Sequence, residues 1–217
     1  RYAYGYSFDA KKIYTEYLYH WPNGREALIF SRENGVYEFR ENINEQITLS
    51  NRTPDNKLYL VSSNDWNLPQ TENAYKWFLE KLTFLMEEAP AASETVAQIV
   101  SGDEKKARIL KELLLADLGI SDVTIKNISG KAPVITTTHR VIGADGSVEH
   151  FQLLMDQESS GTQRFFSRIG GWLQALEDGA LLVVDEIEDS LHPLLTKRLI
   201  EMVQDNTINT EGAQLLF

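Results

Sequence analysis

ALLVVDEIEDSLHP, residues 180–193, sets four carboxylates, Asp185, Glu186, Glu188 and Asp189, directly behind a run apolar enough to be a buried strand. Like charges crowded at the mouth of a core strand repel one another. Two things can compensate them. A helix start favours a nearby carboxylate through its macrodipole by about 0.3–1 kcal/mol, which accounts for one or two of the acids. A cation would account for the set: on that reading the apolar strand ending in Asp-Glu is the metal-holding element of a nucleotide hydrolase, in which Asp185 would hold Mg²⁺ through water and Glu186 would polarise the attacking water.

The surroundings of this stretch alternate helix and strand. Behind it, Pro193 opens a helix with Leu195, Leu199 and Met202 inward, and its missing N–H is no loss at that position. AQLLF then reads as a further strand. Ahead of it, a helix runs from near Ser160 to near Gly179, with Phe165, Ile169, Trp172, Leu173 and Leu176 on its core face. Gly170 and Gly171 inside that helix each cost about 1 kcal/mol relative to Ala, so they mark a place where another backbone or a ligand comes close. The helix opens in ESSGTQRFFSRI, residues 158–169. Small hydroxyl residues and a Gly at a helix start expose N–H groups at a positive dipole end, able to receive a phosphate. A Ser N-cap alone would use the same residues.

Residues 1–40 read as an antiparallel β meander. Tyr2, Tyr4, Tyr6 and Phe8 share one face, and KIYTEYLYHW, ALIF and VYEF come next, separated by PNG at 22–24 and ENG at 33–35. ENAYKWFLEKLTFLMEEA then predicts a helix carrying Ala74, Phe78, Leu82 and Leu85 on one face. EKKARILKELLLADLG predicts another, with Ile109 or Leu110, Leu113, Leu114 and Leu118 inward and Gly119 as its stop. VTIKNI, PVITTTHRVI and SVEHFQLL read as strands, the last two joined across GADG at 143–146. The expected fold is α/β with α+β lobes: a β-rich part of the core at 1–69, a helical lobe at 70–120, and the helix–strand core at 121–217.

The composition narrows the class. With 217 residues, 42% of them apolar, the chain can bury a substantial core. Its net charge of -11 does not indicate nucleic-acid binding, because gripping phosphates needs clustered Lys and Arg. No window approaches the roughly 20 apolar residues of a membrane span, and RYAYGYSFDAKK is no signal peptide. The absence of cysteine excludes disulfides and thiolate zinc sites within these residues and fits a cytoplasmic protein.

The order of a Ser-Gly helix opening, an amphipathic helix, an apolar strand ending in Asp-Glu, and Ser-Leu-His before the next helix resembles the C-terminal half of ABC-type ATPase heads. Within that superfamily it is similar to the prokaryotic AAA-labelled branch related to SMC, RecF and OLD-type proteins, found among abortive-infection and phage-defence ATPases. ESSGTQ looks like the signature motif, LLVVDE like Walker B and DSLHP like the D-loop. The aromatic opening, residues 1–35, is also similar to the β-rich stretch of that branch.

The resemblance implies ATP and Mg²⁺ as ligands and a second subunit as partner, in a homodimer closed around ATP that drives a nuclease or other effector. Ser159, Ser160, Gly161 and Gln163 would then face nucleotide held by that second subunit. Asp185 would be the metal-site carboxylate, Glu186 the catalytic base, and Ser190 and His192 would lie at the dimer seam. Ser160 replaces the second Gly of the common signature, and Thr162 its following acidic or Gln residue.

Two departures stand out. A GxxxxGK[ST] loop is absent, since the only Gly-Lys pair, in ISGKAP at 128–133, has Ile125 in place of the first Gly and Ala132 in place of the hydroxyl residue. No switch histidine comes after AQLLF. The expectation is an internal fragment of a longer ATPase. His20, His139, His150 and His192 show no metal-pair spacing and read as surface or capping residues, and no GxSxG elbow exists. The alternatives are a metal nuclease built on the Asp185–Glu188 cluster and an inert scaffold of the same fold.

Overall fold

A computed structural model describes residues 1–85, 92–116, 118–127, 132–143, 145–189 and 191–217. The chain divides into two compact units, residues 1–80 and 81–217.

The first unit begins with four strands, β1 (Tyr2–Phe8), β2 (Ile13–His20), β3 (Ala27–Glu33) and β4 (Val36–Phe39), paired antiparallel in chain order as the meander predicts. The tightest turn is Asn34-Gly35, between paired residues Glu33 and Val36. Both central residues have positive φ, 48° and 85°, the twist a two-residue hairpin needs. Three helices come next, α1 (Ile43–Ser50), α2 (Tyr59–Asp65) and α3 (Pro69–Glu80). The core gathers Leu18, Ile29, Phe30, Phe39, Leu49 and Tyr59.

One polar group is built into this core. Glu16 on β2 is fully buried. It accepts the N–H groups of Tyr59 and Leu60 at 2.6 and 2.9 Å and the Tyr4 hydroxyl at 3.0 Å. Leu58, the residue before α2, has no side chain able to cap it, so the strand carboxylate satisfies the first N–H groups of the helix from a distance. Burial raises the Glu16 pKa, against the pull of those hydrogen bonds.

The second unit holds β5 (Leu82–Leu85), α4 (Ser93–Ser101), α5 (Asp103–Leu115), β6 (Ile120–Lys126), β7 (Val134–Ile142), β8 (Val148–Leu154), α6 (Ser160–Asp178), β9 (Leu181–Val184), α7 (Pro193–Gln204) and β10 (Gln214–Leu216). β6, β7 and β8 form an antiparallel sheet. β10, β9 and β5 form a parallel one with β9 in the middle.

Here the helix expected through Leu82 and Leu85 is corrected: α3 ends at Glu80, and Leu82–Leu85 pairs residue for residue with Leu181–Val184. A four-residue apolar run fits either period locally, and pairing with β9, about a hundred positions away, decides it. Residues 70–120 therefore contain a strand of the parallel sheet as well as helices. The loop sequence ISGKAP falls largely outside the described residues.

α6 is the central helix of this unit. Phe165, Phe166, Ile169, Trp172, Leu173 and Leu176 are all buried. The paired glycines have a structural cause: a Cβ on Gly170 would stand 2.4 Å from Thr95 Cα, and one on Gly171 would stand 2.9 Å from Leu85 Cδ2. The backbone that comes close is α4. Thr95 Oγ1 donates to the Phe166 carbonyl at 2.7 Å and accepts the Gly170 N–H at 2.9 Å, while Gln98 Nε2 donates to the Gly170 carbonyl at 2.8 Å. α6 stops at Gly179, whose φ of 59° turns the chain into β9.

Candidate functional site

β9 is hydrogen-bonded on both edges, so the segment leaving its carboxyl end is anchored by a fixed strand. Leu182 and Val184 are buried, and Asp185 and Glu186 emerge exposed at the carboxyl end of the parallel sheet. In open sheets with parallel strands that end is where ligands bind.

The helix-end explanation of the four acids fails on geometry. α7 begins at Pro193 with no acid in its first turn, and its cap is His192, whose Nδ1 accepts the Leu194 N–H at 3.3 Å. Compensation comes from α6. Arg164 Nη2 meets Asp189 Oδ2 at 2.9 Å. Arg168, only 6% exposed, donates to the Ile187 carbonyl at 2.6 Å and to the Glu186 carbonyl at 3.4 Å. Asp185 and Glu186 have no ion pair among the described residues.

Glu186 itself has φ +49°, in the left-handed region that costs a residue with a Cβ roughly 1–2 kcal/mol. The Arg168 guanidinium, bonded to the carbonyls of Glu186 and Ile187, holds that bend. Strain retained at an exposed carboxylate is the kind of feature found at sites of chemistry.

At the start of α6, Ser159 is the N-cap, its Oγ accepting the Thr162 N–H at 3.1 Å. The N–H groups of Ser160 and Gly161 have no acceptor within the helix. Ser159 and Ser160 are exposed and Gly161 is half-buried. Gln163 turns back, Nε2 donating to the Glu158 carbonyl at 2.8 Å. Ser190 lies outside the described residues.

No hydrogen bond or ion pair among the described residues joins Ser159–Gly161 to Asp185 or Glu186 in one chain. The two regions are linked by the pair Arg164 and Arg168, which sequence reasoning passed over. Its signal was two arginines four apart on an otherwise apolar helix face. The expectation of surface or capping histidines holds for exposed His192 and is corrected for His139. That side chain is 12% exposed, and its Nε2 lies 2.6 Å from Glu158 Oε1.

The acids also bear on the metal question. Among the described residues no group of three or more His, Asp or Glu side chains is placed to hold a metal ion. A Mg²⁺ site shared with a nucleotide asks less of the protein: one or two carboxylates, the rest being phosphate and water. The exposed pair Asp185-Glu186 fits that demand.

The mixed α/β fold, with a parallel sheet whose central strand runs into Asp-Glu and a helix that opens in Ser-Gly, is compatible with an AAA-like ATPase. Residues 1–217 match the family described as "AAA domain, putative AbiEii toxin, Type IV TA system", and the chain belongs to that family. No curated protein and no solved structure matches it. Among the described residues no helix is long and apolar enough to cross a membrane.

Proposed function

We propose that this chain is the part of an ABC-type ATPase that supplies the hydrolytic carboxylate to one nucleotide and the signature turn to another. The single observation that carries this is the pair Asp185-Glu186, exposed, without an ion pair among the described residues, and fixed at the end of the central parallel strand. Asp185 is the carboxylate that would hold Mg²⁺, and the ion supplies charge neutralisation on the phosphates when bound. Glu186 orients and deprotonates the attacking water, and Arg168 keeps its backbone bent toward that task.

Ser159 and the N–H groups of Ser160 and Gly161 offer donors at a positive helix end to a γ-phosphate bound by a second subunit, in a homodimer closed around ATP. Ser190 and His192 lie on the segment assigned to the dimer seam. The family description supports a toxin–antitoxin or abortive-infection setting. On this proposal, turnover there drives an effector such as a nuclease.

The test uses the protein that carries this chain. Glu186→Gln keeps size and polarity while removing the base, so it should bind ATP, lower kcat at least about 100-fold and accumulate as an ATP-bound dimer. On that background Gly161→Arg should leave ATP binding intact yet prevent the dimer seen by light scattering with ATP, because the longer side chain fills the place of the partner's phosphates. Normal hydrolysis by Glu186→Gln, or normal dimerisation by the double variant, would overturn the assignment.

A further inference from the structure

The turn assigned to phosphate is held from beneath by a buried polar cluster that the proposed hydrolysis does not use. Glu158, the residue before Ser159, turns its side chain away from the helix end and into the antiparallel sheet, where it is 6% exposed. Its Oε1 is approached by His139 Nε2 at 2.6 Å and by Thr137 Oγ1, both from β7. Thr137 is fully buried and also reaches the Leu153 carbonyl at 3.2 Å. The His139 ring is fixed in turn, stacked on Phe151 of β8 with centroids 4.9 Å apart and planes 11° from parallel. Behind it, a Cβ on Gly119 would lie 3.4 Å from Nδ1.

The main chain of Glu158 is tied as well, its carbonyl accepting from Gln163 Nε2 at 2.8 Å. Residues 158–163 are thus clamped at both the side chain and the backbone of one residue. A carboxylate buried on a sheet interior is costly unless it is bonded, so a purely structural chain would more cheaply place an apolar residue here.

We infer that His139 and Thr137, acting through Glu158, are positioning residues that hold the Ser159–Gly161 turn in the geometry a second subunit's nucleotide requires. This rests on the proposed role of the turn as a phosphate-binding element. A preorganised donor must sit within a few tenths of an ångström of its target, and a displacement of about 1 Å caused by a change away from the chemistry can cost about 100-fold in rate. Glu158 is one residue from the turn, and β7 is the middle strand of its sheet, so the clamp transmits the sheet's rigidity to the donors.

Because the turn serves the partner's nucleotide, loosening it should spare binding of ATP by each chain and weaken the closed dimer. In His139→Ala, KM for ATP should stay within about 2-fold of wild type while the specific activity, measured at a protein concentration where wild type is half-maximally active, falls several-fold. The protein concentration giving half-maximal specific activity should rise by a similar factor, and activity should recover at high concentration. Glu158→Ala should behave alike. His139→Gln, which returns an amide donor to Glu158, should recover most of the loss.

Wild-type kinetics from His139→Ala would overturn the inference, while loss of hydrolysis in Gly161→Arg alone would leave the ATPase assignment standing. A matched fall of melting temperature and ATP binding in His139→Ala, unrelieved by His139→Gln, would also overturn it, reducing the cluster to a packing contact. A wild-type protein with no ATP hydrolysis would remove both readings together.

Discussion

Glu16 and Glu186 are the same residue in opposite circumstances. Glu16 is buried in the first unit with both oxygens occupied, by two backbone N–H groups and a tyrosine hydroxyl. Glu186 is exposed in the second, without an ion pair among the described residues, on a backbone bent into the left-handed region. One carboxylate has committed its hydrogen-bonding capacity to the fold. The other keeps it available, at a cost in strain, as a group that must meet water or a ligand requires.

The comparison breaks first at Glu16, where the largest effect on stability is expected. Glu16→Ala leaves the Tyr59 and Leu60 N–H groups without an acceptor in a dry site, and should destabilise the first unit by about 3 kcal/mol. Urea unfolding followed by tryptophan emission reads this, since Trp21, Trp66 and Trp77 all lie in residues 1–80. A change under about 0.5 kcal/mol would mean the carboxylate is no more a part of the fold than Glu186 is.

Glu186→Gly sharpens the other side. Releasing the left-handed backbone recovers roughly 1–2 kcal/mol, and the extra chain entropy of glycine offsets roughly 0.5–1 of it. The second unit should therefore gain about 0.5–1 kcal/mol while hydrolysis is lost. A variant that is less stable than wild type would show that the Glu186 side chain contributes to the fold after all.

Much of this was legible in the chain because it was local. The alternation of Tyr2, Tyr4, Tyr6 and Phe8, the Asn34-Gly35 turn, the apolar face of α6 and the Pro193 helix start are each set by neighbours within a few positions, and each appears in the structure where its pattern lies. The features that were not legible depend on partners far along the chain. Leu82–Leu85 carries a helix-compatible spacing and becomes a strand only because Leu181–Val184 is there to pair with it. Glu16 shows nothing in sequence of its bond to the start of α2, more than forty residues on.

The same division runs through the candidate site. The Asp-Glu strand end and the Ser-Gly helix start were visible as motifs. Arg164 and Arg168, which bind the segment after β9 to α6, show in sequence only as two arginines four apart, with nothing to name their partners, and His139, which meets Glu158 across 19 positions, shows nothing, because a lone imidazole has no period to betray its partner.

The smallest effect expected is in the pH dependence of the first unit, and it tests why Glu16 differs. Burial outweighs the three hydrogen bonds and raises its pKa in the folded chain. A carboxyl whose folded pKa lies above its unfolded value binds more protons folded than unfolded in the interval between the two. Stability must then fall as pH rises through that interval, from the ordinary carboxylate range up to the raised value, and be constant beyond it. Other groups act the opposite way: hydrogen bonds from the Lys11 N–H and the Tyr14 hydroxyl lower the pKa of exposed Asp9, so its contribution is lost as pH falls. The useful quantity is therefore the difference between wild type and Glu16→Gln, which cancels Asp9. That variant cannot titrate at position 16, so the stability advantage of wild type over it should shrink as pH is raised through the interval. Were the advantage to grow with pH, the hydrogen bonds would outweigh burial, and Glu16 would stand in the fold as an ionised carboxylate favoured by its donors.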